Sequence, residues 1–136
     1  MGKSEVKYCV DFGGPIAVFV QIENQVQFAI ASGKYKTGDT LPSVREMSSM
    51  LNVNPNTITK AYRDLEVMKI LYTRRGVGVM VADRADKICR ASILGMVKRH
   101  LRDAVAECIA SGISAEELQK LVAGTIGAGC LPYQPD

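Results

Sequence analysis

A set of polar side chains recurs at the spacing that places residues on one face of an α-helix, and its members are Asn56, Thr59, Lys60 and Arg63. Asparagine can form two hydrogen bonds with adenine, and lysine can reach guanine or a phosphate. These residue types therefore suit a helix that reads the major groove of DNA. A solvated helix face would have the same composition, so the surrounding elements have to decide between the two interpretations.

The sequence around this face predicts two short helices joined by a tight turn. Ser43 stands three residues before Glu46, the spacing of a capping box, and the helix that begins there is expected to end near Asn52. Asn54 is a predicted N-cap with Pro55 at the first position of the second helix, whose N-terminus attracts a phosphate. The buried face of this second helix comprises Ile58, Ala61, Tyr62 and Leu65. The pair is typical of a helix-turn-helix.

Behind the second helix the pattern changes from helical to extended. Two β-rich runs, residues 70–74 and 79–81, flank a glycine turn and predict a hairpin. Arg74 and Arg75 are expected at its tip, where they suit backbone phosphates or an adjacent minor groove, and Gly76 allows a close approach of the main chain. A hairpin of this kind can also be a solubilising turn, but its position behind two helices is typical of a wing.

The motifs between residues 15 and 81 resemble those of the GntR-type winged helix-turn-helix transcription regulators, and within that family the short YtrA-like subfamily. The shared motifs are Gln21-Ile22, Gly33, residues 38–46 (GDTLPSVRE), residues 53–58 (VNPNTI), residues 61–66 (AYRDLE) and residues 75–78 (RGVG). The resemblance implies a DNA-binding homodimer, usually a repressor on a palindromic operator.

The same resemblance implies roles for individual residues. Arg45 is expected near bases or phosphate, Asn56, Thr57 and Lys60 on the recognition helix, and Arg75 and Gly76 on the wing. With the face and the caps described above, the predicted DNA contacts are Ser43, Arg45, Asn54, Asn56, Thr57, Thr59, Lys60, Arg63, Arg74, Arg75 and Gly76.

Two positions depart from the family pattern. Many members carry arginine where this chain has Pro55, as the YtrA-like subfamily tends to, so the base contact of those members is not transferred to this position. Lys69 stands where the family usually places glycine, just after the recognition helix. A left-handed lysine there would cost about 1 kcal/mol, so the helix end is expected either to carry that cost or to differ.

Residues on both sides of these motifs predict further elements. An apolar stripe from Pro15 to Ser32 predicts a first helix of the winged domain, which Gly33 ends. Ahead of it, alternating apolar residues between Val6 and Phe12 indicate a short strand or an ordered arm.

Beyond Val81, apolar residues recur at three-to-four spacing from Arg84 to Ser111 and predict one long helix. A second short helix is expected from Ser114, and the tail from Gly124 is expected to be loose. The two helices are interpreted as a dimerisation unit. The residues expected to contact a second copy are Ile88, Leu94, Val97, Leu101, Val105 and Cys108. The stripe could instead fold back on the winged domain.

Composition and charge narrow the function classes. The net charge is +3, and residues 1–82 hold ten Lys and Arg against seven Asp and Glu, whereas residues 83–136 hold seven of each. The surplus of positive charge lies in residues 1–82, which include the predicted DNA-binding helix and wing. We therefore expect moderate and strongly salt-dependent affinity for DNA. No apolar run approaches the roughly 20 residues of a membrane span, and we expect a cytoplasmic protein without a membrane partner.

The sequence does not indicate catalytic, metal or cofactor chemistry. Paired carboxylates, nucleophile motifs and phosphate loops with suitable surroundings are missing, so we expect no enzyme and no cofactor. The cysteines are far apart, which favours reduced thiols over a redox or metal sensor, and they are Cys9, Cys89, Cys108 and Cys130. A small-molecule effector is compatible with the sequence but not indicated by it.

The predicted fold class is α+β, mostly α: a winged helix-turn-helix DNA-binding domain followed by a short two-helix dimerisation unit. The expected domains are an N-terminal arm (1–12), the winged domain (13–82) and the helical region with a loose tail (83–136). The leading function is that of a sequence-specific DNA-binding regulator. The alternative is a winged-helix module that binds proteins and not DNA, since the fold alone does not exclude it.

Overall fold

A computed structural model describes residues 6–128 of the chain. Within this range the elements are α1 (Val18–Ala31), α2 (Val44–Leu51), α3 (Pro55–Val67), β1 (Leu71–Arg74), β2 (Gly78–Val81), α4 (Ala85–Ala110) and α5 (Ala115–Gly127). The predicted class, α+β and mostly α with a wing, is confirmed. The chain divides into two compact units, the first ending at Ile93 and the second beginning at Leu94.

The core of the first unit lies among α1, α2, α3 and the hairpin. Its fully buried side chains include Ile22 and Val26 from α1, Met47 from α2, and Ile58 and Leu65 from α3. These are residues of the predicted apolar faces. Burial of their side chains supplies the main free energy that holds the three helices together.

The first helix begins later than predicted, at Val18 and not at Pro15. The carbonyl of Ile16 accepts a hydrogen bond of 2.8 Å from the Gln21 side chain. Ala17 is the N-cap residue, with an extended ψ of 142°. Ile16 therefore lies outside the helix and is 42% exposed.

The predicted helix caps are present. Ser43 accepts a 3.0 Å hydrogen bond from the backbone N–H of Glu46, and Asn54 accepts one of 2.8 Å from Asn56. Asn52 ends α2 in the left-handed conformation, with φ 53°. These contacts fix the turn between α2 and α3, which sets the direction in which α3 leaves it.

Lys69 adopts the left-handed conformation, with φ 67°. It follows the end of α3 in a Schellman arrangement, in which the N–H of Lys69 bonds to Glu66 O at 3.0 Å and the N–H of Ile70 bonds to Leu65 O at 2.9 Å. Ile70 and Leu65 are fully buried. The two hydrogen bonds and this apolar contact hold the lysine where glycine would be favoured.

The predicted hairpin forms and has an additional neighbour. β1 and β2 are antiparallel, with Arg74 opposite Gly78. On the other side of β2, Thr40 forms a bridge with Met80, and Leu41 donates to Val79 O at 2.8 Å. The sequence did not predict this third segment, which attaches the base of the wing to the chain ahead of α2.

An extended arm packs against α1. Gln25 bonds to both the N–H and the carbonyl of Cys9, at 2.9 and 2.6 Å, and Gln21 bonds to both groups of Asp11 at 2.8 Å. The two glutamines, one helical turn apart, thus replace the neighbouring strand that an extended segment would otherwise need. Of the two structures predicted here, the ordered arm is correct. Phe12 leaves the alternation and is 64% exposed.

In the second unit α4 and α5 are joined by a turn at Gly112, whose φ is 82°. Ser114 caps α5 by accepting a 3.2 Å bond from the N–H of Glu117, as predicted. The prediction of a loose tail from Gly124 is wrong for its first residues, because α5 continues to Gly127. One glycine lowers helix stability by about 1 kcal/mol but does not end a helix. The rest of the predicted tail, from residue 129, lies outside the described residues.

Ile88 lies on a different side of α4 from the apolar residues that follow it. Ile88, Leu94 and Val97 are separated by multiples of three residues, and each step of three falls about 60° short of a full turn. Ile88 packs against the core of the first unit, whereas Leu94 and Val97 are 53% and 45% exposed. The exposed large apolar residues of α4 therefore begin at Leu94.

Candidate nucleic-acid interface

The outer face of α3 is polar and open. Asn56, Lys60 and Arg63 are exposed, as predicted, whereas Thr57 and Thr59 are half-buried. The hydroxyl of Thr59 donates to the carbonyl of Pro55 at 3.0 Å. The exposed side chains of the predicted reading face are therefore an amide and two cations, which are suited to base edges and phosphates.

Lys60 has two partners within its own chain. Its ammonium lies 3.4 Å from a carboxylate oxygen of Asp64, and it stands 4.6 Å from the centre of the Phe19 ring on α1. The lysine and aspartate side chains are 54% and 36% exposed. An exposed ion pair of this kind typically contributes less than about 1 kcal/mol, so Lys60 can exchange these partners for DNA.

A second carboxyl group lies beside this pair. Glu23 of α1 is within hydrogen-bond reach of Asp64. Burial of the Glu23 carboxyl group, and to a lesser extent its contact with Asp64, raises the pKa of Glu23 to about 8. The same hydrogen bond, with Lys60, holds the pKa of Asp64 below its usual value. Sequence reasoning missed Glu23, although it is the only ionisable residue of an otherwise apolar and amide-rich helix.

The start of each helix of the helix-turn-helix carries predicted contact residues. Ser43 and Asn54 use side-chain oxygens to cap α2 and α3, and both residues are exposed. Arg45, at the second position of α2, is also exposed. Tyr62 of α3 donates its hydroxyl hydrogen to the carbonyl of Pro42 at 2.7 Å, which ties the start of α2 to α3.

The wing presents two arginines at its end. Arg74 is the last residue of β1, Arg75 is in the turn, and both are exposed together with Gly76. Gly76 has φ 83° and an empty surrounding, so the turn requires its conformation and leaves room for a close neighbour. Thr73 donates a 2.6 Å hydrogen bond to Glu66 at the end of α3. This contact, which the sequence did not predict, links the wing to the helix.

The positions of the cysteines bear on possible metal binding and thiol reactivity. Within residues 6–128 no group of three His, Cys, Asp or Glu side chains is placed to hold a metal ion. Cys9 is exposed, Cys108 is half-buried and Cys89 is buried. Burial, and to a lesser extent the negative charge of Asp86, raises the pKa of the Cys89 thiol to about 12. Cys89 is therefore a poor nucleophile. None of the helices in this range is long and apolar enough to cross a membrane.

Known proteins share this arrangement. Residues 19–81 match the family described as "Bacterial regulatory proteins, gntR family". The HTH-type transcriptional repressor YtrA of Bacillus subtilis is 32% identical over 105 residues, which cover 77% of this chain and 81% of that protein. The chain belongs to the GntR family. The resemblance deduced from its motifs is confirmed, and the chain carries the DNA-binding domain of these transcription regulators.

Solved structures of GntR-family proteins have the same fold. A GntR family transcriptional regulator from Listeria monocytogenes aligns with a TM-score of 0.69 and 32% identity, covering 83% of this chain and 98% of that one. YtrA from Sulfolobus acidocaldarius, a GntR-family transcription factor, aligns with a TM-score of 0.55 and 31% identity, covering 71% and 97%. The first of these alignments extends over most of this chain, beyond the winged domain.

Proposed function

We propose that the protein is a cytoplasmic transcription repressor that binds a palindromic operator as a homodimer. The observation that carries the proposal is the open polar face of α3 beside a wing that ends in two arginines. The Bacillus subtilis relative is named as a repressor, which supports the same direction of regulation here. The similar proteins are regulators and not enzymes, so we propose no catalytic activity.

Each predicted contact has a distinct task in this proposal. Asn56, Lys60 and Arg63 face the major groove from α3, and the amide or cation of each can bond a base edge or a phosphate. Arg45 and the exposed starts of α2 and α3 contact phosphates and set the register of the helix on DNA. Arg74 and Arg75 reach the adjacent backbone or minor groove through the wing.

Residues 94–128 support pairing with a second copy. Over this range no side chain is buried, and the large apolar residues that are at least 43% exposed are Leu94, Val97, Leu101, Ile109, Leu121, Val122 and Ile126. Val105 and Cys108, also predicted to contact a second copy, are half-buried. An exposed apolar surface of this kind marks an interaction site. A two-fold pair can present two recognition helices about 34 Å apart, one turn of DNA, which matches a palindrome.

The proposal is tested by binding to DNA fragments from the promoter of its own gene, measured by fluorescence anisotropy over a range of salt concentrations. Lys60→Ala and Arg45→Ala should each weaken binding by about 1 to 3 kcal/mol if they contact bases, and Arg75→Ala should lower the salt slope by about 1. Lys87→Ala, an exposed lysine at the start of α4, is the matched control and should bind like the wild type.

Absence of salt-sensitive binding to any fragment would overturn the regulator proposal and favour the protein-binding winged-helix module. Equal weakening by Lys60→Ala and Lys87→Ala would instead show that net charge, and not contact by α3, governs affinity. Light scattering at micromolar concentration tests the homodimer separately, and a monomer would contradict it.

A further inference from the structure

Two side chains of α1 face two side chains of α3 at the edge of the recognition helix. Phe19 and Glu23 are one helical turn apart on α1, as are Lys60 and Asp64 on α3. The Lys60 ammonium contacts the Phe19 ring and the Asp64 carboxylate, and the Asp64 carboxylate also meets the Glu23 carboxyl group. We call Glu23, Asp64 and Lys60 the carboxyl–lysine cluster.

The Glu23 carboxyl group is only partly accommodated by its surroundings. Its oxygen Oε2 is buried and has no hydrogen-bond partner, while the group as a whole lies beside Asp64. Glutamate is the only ionisable residue of α1, and the charged groups that face it from α3 are Asp64 and Lys60, with Arg63 acting on Asp64. The arm, which carries Lys7 and Asp11, contacts α1 through Gln21 and Gln25 on the opposite side of the helix.

We propose that Glu23 is a positioning residue for DNA recognition: through Asp64 it determines how firmly the protein retains the Lys60 ammonium, and hence how readily Lys60 binds DNA. The inference rests on the proposed function, because it concerns the operator affinity of that same face. It assigns a role to a residue that touches no DNA in the proposed complex.

The two protonation states of Glu23 differ in the charge that surrounds Lys60. When Glu23 is protonated, its O–H donates to the Asp64 carboxylate, and the carboxyl–lysine cluster is neutral. When Glu23 is ionised, two carboxylates attract the ammonium and the cluster carries one negative charge close to the DNA-binding face. Both effects oppose the transfer of Lys60 to a phosphate or base, since the ammonium is held more strongly and the DNA is repelled.

The raised pKa of Glu23, about 8, places this change of charge near neutral pH. A bound phosphate nearby favours the protonated acid, so DNA binding should take up a proton at Glu23. By linkage, operator affinity then falls as the pH rises through this range, by at most about tenfold per pH unit and protomer.

The test compares the wild type with Glu23→Gln, which keeps the size of the side chain and resembles the protonated acid. Operator affinity is measured at constant ionic strength from pH 7 to pH 9. The wild type should weaken at least about threefold over this range, whereas Glu23→Gln should change less than about twofold and bind more tightly than the wild type at pH 9. The carbon chemical shift of the Glu23 carboxyl group, followed by NMR on the full chain without DNA, should show a midpoint near 8.

A second variant, Asp64→Asn, removes the neighbouring carboxylate and should lower the NMR midpoint of Glu23. Parallel pH profiles for the wild type and Glu23→Gln would overturn the inference and leave the proposed function intact. An NMR midpoint near the usual value of glutamate would also overturn it. If neither protein binds any fragment at any pH, the proposed function fails, and the inference about operator affinity fails with it.

Discussion

At the scale of single residues, the structure holds Lys69 and Glu23 in states that their residue types do not favour. Lys69 is left-handed, and Glu23 places a carboxyl oxygen in a buried position without a partner. In both cases neighbouring contacts hold the residue in place. Ile70 and Leu65 are buried together beside Lys69, and the carboxyl group of Glu23 lies beside the Asp64 carboxylate.

Replacing the left-handed lysine should stabilise the first unit. Lys69→Gly removes the steric cost of a Cβ at φ 67° and should raise the free energy of unfolding by about 1 kcal/mol. Urea denaturation followed by circular dichroism measures this change. Lys98→Gly, at an exposed position inside α4, is the control and should lower helix stability by about the same amount. A destabilising Lys69→Gly would contradict the proposed role of the Schellman arrangement.

Glu23 should also make folding stability depend on pH. Its pKa is about 8 in the folded chain and near 4.5 when unfolded, so the folded state binds more protons between these values. The free energy of unfolding should therefore decline as pH rises from about 4.5 to 8 and level off above that. Glu23→Gln should lack this decline and be the more stable protein at pH 8.5. Urea midpoints measured at pH 5, 7 and 8.5 for both proteins provide the comparison, and identical trends would contradict it.

At the scale of elements, polar side chains attach extended segments to helices. Gln21 and Gln25 hold the arm on α1, and the Thr73–Glu66 hydrogen bond links the wing to α3. Each contact pairs backbone or hydroxyl groups that a short extended segment cannot pair by itself. The orientation of the arm and wing relative to the helices depends on them.

Removing one glutamine should release the arm before it affects the core. Gln25→Leu keeps the volume of the side chain but leaves the N–H and carbonyl of Cys9 unpaired, which should cost about 1 to 3 kcal/mol of stability. Hydrogen exchange should show lost protection at residues 9–11. Gln119→Leu changes an exposed glutamine of α5 and should leave that exchange unaltered. Retained protection of the arm in Gln25→Leu would show that apolar packing alone holds it.

At the scale of the whole molecule, the two units differ in how much they bury. The first has a continuous core, whereas residues 94–128 bury no side chain and expose apolar residues along α4 and α5. A pair of helices with so little burial gains too little hydrophobic free energy to be stable alone. The proposed homodimer would supply the missing burial.

A charge in this exposed apolar surface should therefore separate the subunits. Leu101→Asp replaces a side chain that is 56% exposed in the single chain, and the proposed interface would bury the new carboxylate without a partner. We expect a monomer by light scattering at micromolar concentration and at least tenfold weaker operator binding. Ala106→Asp adds the same charge at an exposed position on another side of α4 and should remain dimeric. Dimers of both variants would place the interface elsewhere.

Local signals made much of the winged domain predictable from the sequence. Helix caps act over a few residues, so Ser43, Asn54 and Ser114 marked where helices begin. The apolar spacing of α3 likewise indicated its buried face, and the glycine turn indicated the hairpin. The exposed face of α3 followed from the same periodicity, because residues that are not buried must point outward on a helix packed on one side.

The tertiary structure alone decided the contacts between residues far apart in the chain. Thr40 beside β2, the glutamines that hold the arm, and the meeting of Glu23 with Asp64 have no local sequence signal, because each requires two separate segments to be brought together. The packing of Ile88, at the start of α4, against the core likewise depends on segments that are distant in the chain. The ionisation of Glu23 belongs to the same group, since the pKa of a carboxyl group depends on the burial and neighbouring charges that folding provides.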